Sequence, residues 1–404
     1  MRTVGIICEY NPFHLGHKRQ IDVLRKMGYE RIVCVMSGNF TQRGELAMFD
    51  KYTRAKSAVM GGADVVLELP FPYSSMSAER FAAAGVHILS SLGVDAISFG
   101  SECADADMLN RAAEAILSEE FVSLYTELQK NGSGGSAKCY FEALARILGH
   151  DVSLLSNDIL AISYIAAIKR FGCKMEIVPI KREGLRYNDL ELRSDELPSA
   201  TAIRAAINSG LAKSTVQATV EASAQAPLFD ALDMGIAPVG INNIGDRILS
   251  FFKLLSANEI CSRATMRSGG GSIAEDGCGI CERLCKCARA ATNFDSFIGS
   301  AYNSKYTDAR INRVMLFALL GVSDKLSHML PSYTTLLAAS EGGRELLSSW
   351  RKSCEFSIIT KPADAPEGVL LNIGRAADEL YVSAMPQKSA VDYFVKQKPY
   401  IDIK

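Results

Sequence analysis

The sequence lacks any apolar run approaching the ~18 residues that a membrane-spanning helix needs, which argues against a membrane protein. It also lacks the charged and apolar segments of a secretory leader. Met1-Arg2-Thr3 leads directly into a strand-like run, so no signal peptide is expected and the cytoplasm is the predicted compartment. Charge of one sign is missing too: a formal net charge of −1 over 404 residues leaves no global basic field. That excludes indiscriminate nucleic-acid binding but leaves room for a local basic patch. Histidine is scarce, with five in the whole chain. Cysteine is not scarce, but its odd number, eleven, suits reduced thiols better than a disulfide framework.

What remains is an ordinary globular composition, 48% hydrophobic and 22% charged, in a chain too long for one ordinary core. Strand-like and helical patterns alternate through the first half. Val4–Cys8, Arg31–Ser37, Asp64–Leu69 and Val94–Phe99 read as buried strands, with helical periodicity between them. This order predicts a parallel sheet with right-handed crossovers, in a Rossmann-like α/β fold. Helices follow from Asp105 to about Leu148 and over Ser156–Arg170, then a strand over Lys174–Ile180 and a capped helix over 198–209. The Ala/Ser/Thr/Gln-rich stretch 213–238 reads as an interdomain crossing, and the remainder as a mainly helical domain over 239–404. Within it Glu355–Ile359 and Gly368–Leu371 read as short strands.

Two of the five histidines stand together in His14-Leu15-Gly16-His17, between the first strand and the first helix. An HxGH at a helix start suits a nucleoside triphosphate. The helix N-terminus offers free N–H groups and positive potential to phosphates, and Gly16 would let the nucleotide approach the backbone. The imidazoles would donate hydrogen bonds where negative charge builds on the α-phosphate and the departing pyrophosphate. The alternative is a chance HxGH in a loop, which the flanking strand and helix disfavour.

Other loops fall at the same ends of the predicted strands, where ligands of such sheets bind. Ser37-Gly38-Asn39-Phe40-Thr41-Gln42-Arg43-Gly44 brings Asn39, Gln42 and Arg43 towards the crevice, unless it is a plain surface turn. Gly100 closes the fourth strand. Ser199, Thr201 and Arg204 open a helix as a second anion platform, or else form an N-cap beside a solvated arginine. Lys181 and Arg182 add cations. Cys278, Cys281, Cys285 and Cys287 cluster, but with no histidine near and no second CxxC they read as packing residues rather than metal ligands.

Taken together, Gly5–Gln20, Met36–Ala47, Ala63–Pro70, Phe99–Glu102, Asn157, Ile180–Arg182, the 199–204 segment and Ser304-Lys305-Tyr306-Thr307 with Arg310 and Arg313 resemble the bacterial tRNA(Met) cytidine acetate ligase family. The match is dense over about 1–210 and sparse over about 280–320. The resemblance implies a nucleotidyltransferase-like catalytic domain over 1–212. It further implies that acetate is activated with ATP to acetyl-adenylate and passed to N4 of the wobble cytidine of elongator tRNA(Met). By the same resemblance ATP meets Ile7, Cys8, Glu9, Tyr10, Asn11, Pro12, Phe13, His14, Leu15, Gly16, His17, Lys18, Arg19, Gln20, Gly100, Asn157 and Arg182. Ser199, Thr201 and Arg204 would hold the triphosphate tail, with Mg²⁺ bridging the phosphates. His14, His17 and Arg182 are the expected catalytic groups. Asn39, Gln42 and Arg43 are expected on the acetate and acceptor side, and Lys305, Arg310 and Arg313 on tRNA. The chain departs from the family where Tyr187-Asn188-Asp189 replaces a common Tyr-His-Asp, and in the 213–235 and cysteine-rich stretches. Two alternatives remain: an adenylyltransferase making a small dinucleotide cofactor, which would need no second domain, and an RNA-binding protein with a vestigial nucleotide pocket.

Overall fold

The computed structural model describes residues 1–131, 136–149, 155–182, 199–264, 279–302, 306–361, 364–387 and 393–402. Expectations for Asn188, Cys278 and Lys305 lie outside the described residues.

In chain order the first half runs β1 (Thr3–Cys8), α1 (Leu15–Lys26), β2 (Arg31–Ser37), α2 (Lys51–Met60), β3 (Val65–Leu69), α3 (Ala78–Ser91) and β4 (Ala96–Ser101). Then come α4 (Ala106–Leu117), α5 (Glu119–Lys130), α6 (Ser136–Leu148), α7 (Ser156–Phe171), β5 (Glu176–Lys181) and α8 (Ala200–Ala206). The strands are continuous apolar runs because both faces are covered, as in a parallel sheet flanked by helices.

The described residues form an eight-stranded sheet in the order β5-β4-β1-β2-β3, extended by strands from the second half of the chain. Pairing is parallel throughout β5-β4-β1-β2-β3. From β1 the chain winds outward to β2 and β3, and then returns to lay β4 on the other side of β1. The strand order therefore reverses between β1 and β4, and a crevice opens beyond their carboxyl ends.

The second half continues with α9 (Ala212–Thr219), α10 (Ala226–Asp233), α11 (Gly245–Leu254), α12 (Ala257–Arg263), α13 (Gly279–Ala290), α14 (Phe294–Ala301), α15 (Asp308–Leu320) and α16 (Asp324–His328). It ends with β6 (Tyr333–Ala339), α17 (Glu341–Ser353), β7 (Ser357–Ile359), α18 (Val369–Ala384), α19 (Tyr393–Lys396) and β8 (Tyr400–Ile401).

Three features differ from the sequence reading. The stretch 213–238 is largely helical and packs on α2: Val216, Val220, Ala224 and Leu228 are buried, and Ser57 Oγ donates to the Ala224 carbonyl at 2.8 Å. Gly368–Leu371 is not a strand but the start of α18, and the strand expected over Glu355–Ile359 is β7. Finally, β6, where only helix was expected, adds antiparallel to β3, with β7 and β8 parallel to it. Asp64 Oδ1 accepts from the Ser340 hydroxyl at 3.2 Å just beyond this seam.

Candidate active site

The crevice between the ends of β1 and β4 is a cleft of about 390 Å³. Its walls bring together Ile7, Cys8, Glu9, Tyr10, Asn11, His14, Gly16, His17, Arg19 and Gln20 from the first loop and α1, with Gln42 and Arg43 from the loop after β2. Gly100, Asn157, Lys181, Arg182, Ser199 and Arg204 also line it, with apolar and aromatic side chains such as Phe81 and Tyr164 between them. Residues from six parts of the chain, chosen from sequence, thus line one cavity.

The HxGH segment is built as a helix cap. His14 is the N-cap of α1, and its Nδ1 accepts the Gly16 N–H at 3.0 Å. His17 Nδ1 accepts the His14 N–H at 3.3 Å. The two rings lie 3.8 Å apart, centroid to centroid. An acceptor Nδ1 fixes the tautomer: each neutral imidazole carries its proton on Nε2 and offers it as a donor. Burial, with Arg182 and Arg204 nearby, pulls His14 down to about 3. Burial, His14 and Arg182 push His17 well below its usual value as well. Both rings are therefore neutral donors in the ligand-free chain near neutral pH.

Gly16 has a nearer reason to be glycine than the approach of a nucleotide. A Cβ there would lie 2.8 Å from His14 Cε1 and 3.1 Å from its Nδ1. Gly100 likewise makes room for a side chain, because a Cβ would meet Arg182 Cγ at 3.2 Å. Tyr10 takes a positive φ of 45°, which costs a non-glycine residue about 1 kcal/mol or more, at the point where β1 turns into the loop.

Arg182 follows β5 and holds its N–H on the Ser101 carbonyl at 3.0 Å, so its side chain reaches over the end of β4. Glu102 lies 4.0 Å from Arg182 Nε and also accepts from the Asn157 amide, which fixes Asn157 at the start of α7. Ser199 caps α8 through the Ala202 N–H at 3.0 Å. Arg204 donates to the Asn11 carbonyl at 3.0 Å and to Thr201 Oγ1 at 3.3 Å, which ties α8 to the HxGH loop.

Several expected contacts are not in the cleft. Phe13 is fully buried in the core and fits against Gly61, where a Cβ would come within 2.3 Å of its ring. Pro12 and Leu15 do not line the cleft, and Lys18 pairs with Asp22 one turn on. Thr201 is outside the lining as well. Asn39, expected at the acceptor side, is 2% exposed; it donates to Asp378 Oδ1 at 2.8 Å and accepts the Lys51 N–H at 2.9 Å. It belongs to a buried network with Lys51, Glu68 and Asp378 that pins α18 to the sheet.

Arg313 does not form an exposed strip with Arg310. It is 8% exposed, and its guanidinium donates to the Gln42 carbonyl at 3.2 Å. Burial, then Arg310 and Arg43, lowers it to about 10. Gly44 lets the loop lie directly on α15, since a Cβ would approach the Arg313 backbone nitrogen to 2.6 Å. Arg310 itself sits half-buried with its guanidinium 5.1 Å from the Tyr306 ring centre. In α13, Cys281 and Cys285 are buried and Cys287 is half-buried. The Cys285 Sγ faces the Leu255 carbonyl at 3.7 Å and the Cys287 Sγ the Ser300 carbonyl at 3.4 Å.

One residue escaped the sequence reading. Arg54 on α2 is fully buried and donates to the carbonyls of Glu9, Ser37, Gly38 and Phe49. It clamps the loops after β1 and β2 into one floor. Its only trace in sequence is a cation on a helix flanked by buried strands, which a solvated face would show equally.

A HIGH nucleotidyl transferase family model matches residues 1–395. The chain is 32% identical over 414 residues to a tRNA(Met) cytidine acetate ligase of Clostridium perfringens, covering 98% of each. It is 36% identical over 376 residues to one of Caldanaerobacter subterraneus, covering 90% of this chain and 89% of that one. The chain belongs to the tRNA(Met) cytidine acetate ligase family. Two crystal structures of Thermotoga maritima TmcAL, one without ligand and one bound with alpha-thio ATP, match it at 29% identity. Both cover all of each chain, with TM-scores of 0.89 and 0.87. A nucleotidyltransferase-type cleft and a full-length family match thus agree. No helix among the described residues is long and apolar enough to cross a membrane.

Proposed function

We propose that this chain, acting in the cytoplasm, joins acetate to ATP to form acetyl-adenylate and then acetylates N4 of the wobble cytidine of elongator tRNA(Met). The observation that carries the reading is the pair of neutral imidazoles whose Nε2–H groups remain available beside Arg182 and Arg204 in the cleft. Acetate is already a competent nucleophile, so the first step needs positioning and charge neutralisation, not a covalent enzyme intermediate. A carboxylate oxygen attacks the α-phosphorus, pyrophosphate departs, and the charge gathering on the phosphate oxygens meets His14, His17 and Arg182. Arg204, with Ser199 at the start of α8, would face the triphosphate tail. Asn157 and Gly100 would flank the nucleoside, and Gln42 and Arg43 the acceptor side.

Mg²⁺ would lessen the charge of the phosphates. No group of three or more His, Cys, Asp or Glu side chains that could hold a metal ion assembles among the described residues. In the second step the exocyclic amine of a splayed anticodon base attacks the mixed anhydride, which requires that base to enter the cleft. We assign this docking to residues 239–404, with Arg310 and Lys305 as contacts, and the chemistry to 1–212, with 213–238 joining the two.

The test is exchange of labelled pyrophosphate into ATP with and without acetate, followed by addition of tRNA. The reading requires acetate-dependent exchange and acetyl transfer to tRNA(Met). Exchange that ignores acetate but depends on a mononucleotide acceptor would point instead to a dinucleotide-forming adenylyltransferase.

A further inference from the structure

We propose that Glu9 is the residue that recognises the cytidine amine and takes its proton during acetyl transfer; this rests on the activity proposed above. Glu9 follows β1 at the strand-order reversal and is the only carboxylate among the described residues lining the cleft. Its Oε1 accepts the Gln42 N–H at 2.8 Å, which fixes the carboxylate on the Gln42–Arg43 side of the cavity. Its Oε2 has no hydrogen-bond partner among the described residues.

Elimination points the same way. When the amine attacks the acetyl carbonyl, nitrogen becomes acidic and needs an acceptor. His14 and His17 cannot serve, because each uses Nδ1 as an acceptor already and carries its proton on Nε2. Arg19, Arg43, Lys181, Arg182 and Arg204 are cations without lone pairs to offer. Cys8, Tyr10 and Tyr164 are held protonated, chiefly by burial. A carboxylate also matches cytosine specifically, since it accepts from the N4–H that uracil lacks.

The step balances. The N4 lone pair forms the C–N bond, one N4 proton passes to Glu9 Oε2, and the carbonyl–oxygen bond to AMP breaks, AMP leaving with that electron pair. The products are N4-acetylcytidine, AMP and protonated Glu9. Burial holds Glu9 above the ordinary carboxylate range. Glu45 pushes the same way, against the Gln42 N–H, Arg204 on α8 and Arg54 on α2. A base so placed accepts a proton more readily than a solvated carboxylate, yet works only when ionised.

The experiment uses the full chain with ATP, labelled acetate and tRNA(Met). It measures acetyl transfer and acetate-dependent pyrophosphate exchange separately across pH, for wild type, Glu9→Gln and Glu9→Asp. The expected result is that Glu9→Gln lowers transfer by about a hundredfold or more relative to its own exchange rate. It should also remove the loss of transfer seen in wild type as pH falls through the raised Glu9 value. Glu9→Asp should keep that acid limb at reduced rate. Equal losses in transfer and exchange would make Glu9 part of the ATP site, and an acid limb unchanged in Glu9→Gln would place the base elsewhere; either overturns the proposal. Wild type without acetate-dependent exchange would instead refute the activity on which it rests.

Discussion

Gly16→Ala separates the two reasons a glycine could stand in the HxGH segment. The new methyl would lie 2.8 Å from His14 Cε1 and 3.1 Å from the same Nδ1 that accepts the Gly16 N–H. Helix α1 cannot yield there, so the ring must swing. The cap hydrogen bond is then lost, at about 0.5–1.5 kcal/mol. Replacing glycine inside a helix returns about 0.5–1 kcal/mol. The two nearly cancel, and the midpoint of thermal unfolding should stay close to wild type. Catalysis has no such compensation. A swung imidazole no longer aims Nε2–H at the reacting phosphate, and losing one such donor costs about 3–4 kcal/mol, a turnover loss on the order of 10²–10³. Acetate-dependent pyrophosphate exchange, with ATP affinity from calorimetry, reads both quantities. If ATP binding collapses while turnover at saturation persists, the glycine serves nucleotide approach and the reasoning from His14 fails.

Further outcomes follow from the same geometry. His17→Ala should lower turnover on the order of a hundredfold while ATP affinity changes far less; poorer affinity at an unchanged rate would make it a binding residue only. Arg54→Met removes the guanidinium donor from four carbonyls and should reduce stability by about 3–5 kcal/mol in urea unfolding, a loss under 1 kcal/mol contradicting the clamp. His14 and His17 have depressed folded values, so the unfolded chain binds protons that the folded chain refuses. Their contribution to stability is complete above the unfolded value near 6.5 and is lost as pH falls towards the folded values, at up to about 1.4 kcal/mol per pH unit per histidine. His14→Gln should flatten that slope in the ligand-free protein, and an unchanged slope would refute the assignment. The purified chain should hold no stoichiometric zinc or iron by elemental analysis; one metal per chain, lost in Cys281→Ser, would reverse the packing role given to α13.

The first half of the fold was legible because each parallel strand is a short apolar run bounded by breakers, a signal contained within ten residues. β6 was not. Tyr333–Ala339 ends in Leu-Leu-Ala-Ala, a sequence at home in a helix, and it becomes a strand by pairing with β3, more than 260 residues earlier. The burial that decides it comes from α2 and α17, which both pack against it. Gly368–Leu371 misled in the opposite direction: β-branched and leucine residues after a glycine suit a strand, but Gly368 is the N-cap of a 16-residue helix.

The site shows the same limit at the scale of single side chains. Sequence can say which groups have suitable chemistry, and the loops carrying them do converge on one cleft. It cannot say which polar groups are already engaged in holding the loops in place. Asn39 stands beside Gly38, and Arg313 is three residues from Arg310 on one helix face; both patterns invite a ligand, yet both side chains turn inward, Asn39 to Asp378 and Arg313 to the Gln42 carbonyl. Arg54, which no motif marks, holds the carbonyls of Glu9, Ser37 and Gly38 together and so fixes the floor on which the chemistry stands. These buried donors leave the Gln42 N–H to meet Glu9 Oε1, with Glu9 lining the cleft. Stability and reactivity are therefore divided between neighbouring residues of the same loops. A substitution at Arg54 should act on both together, whereas one at Glu9 should lower acetyl transfer more than it lowers pyrophosphate exchange.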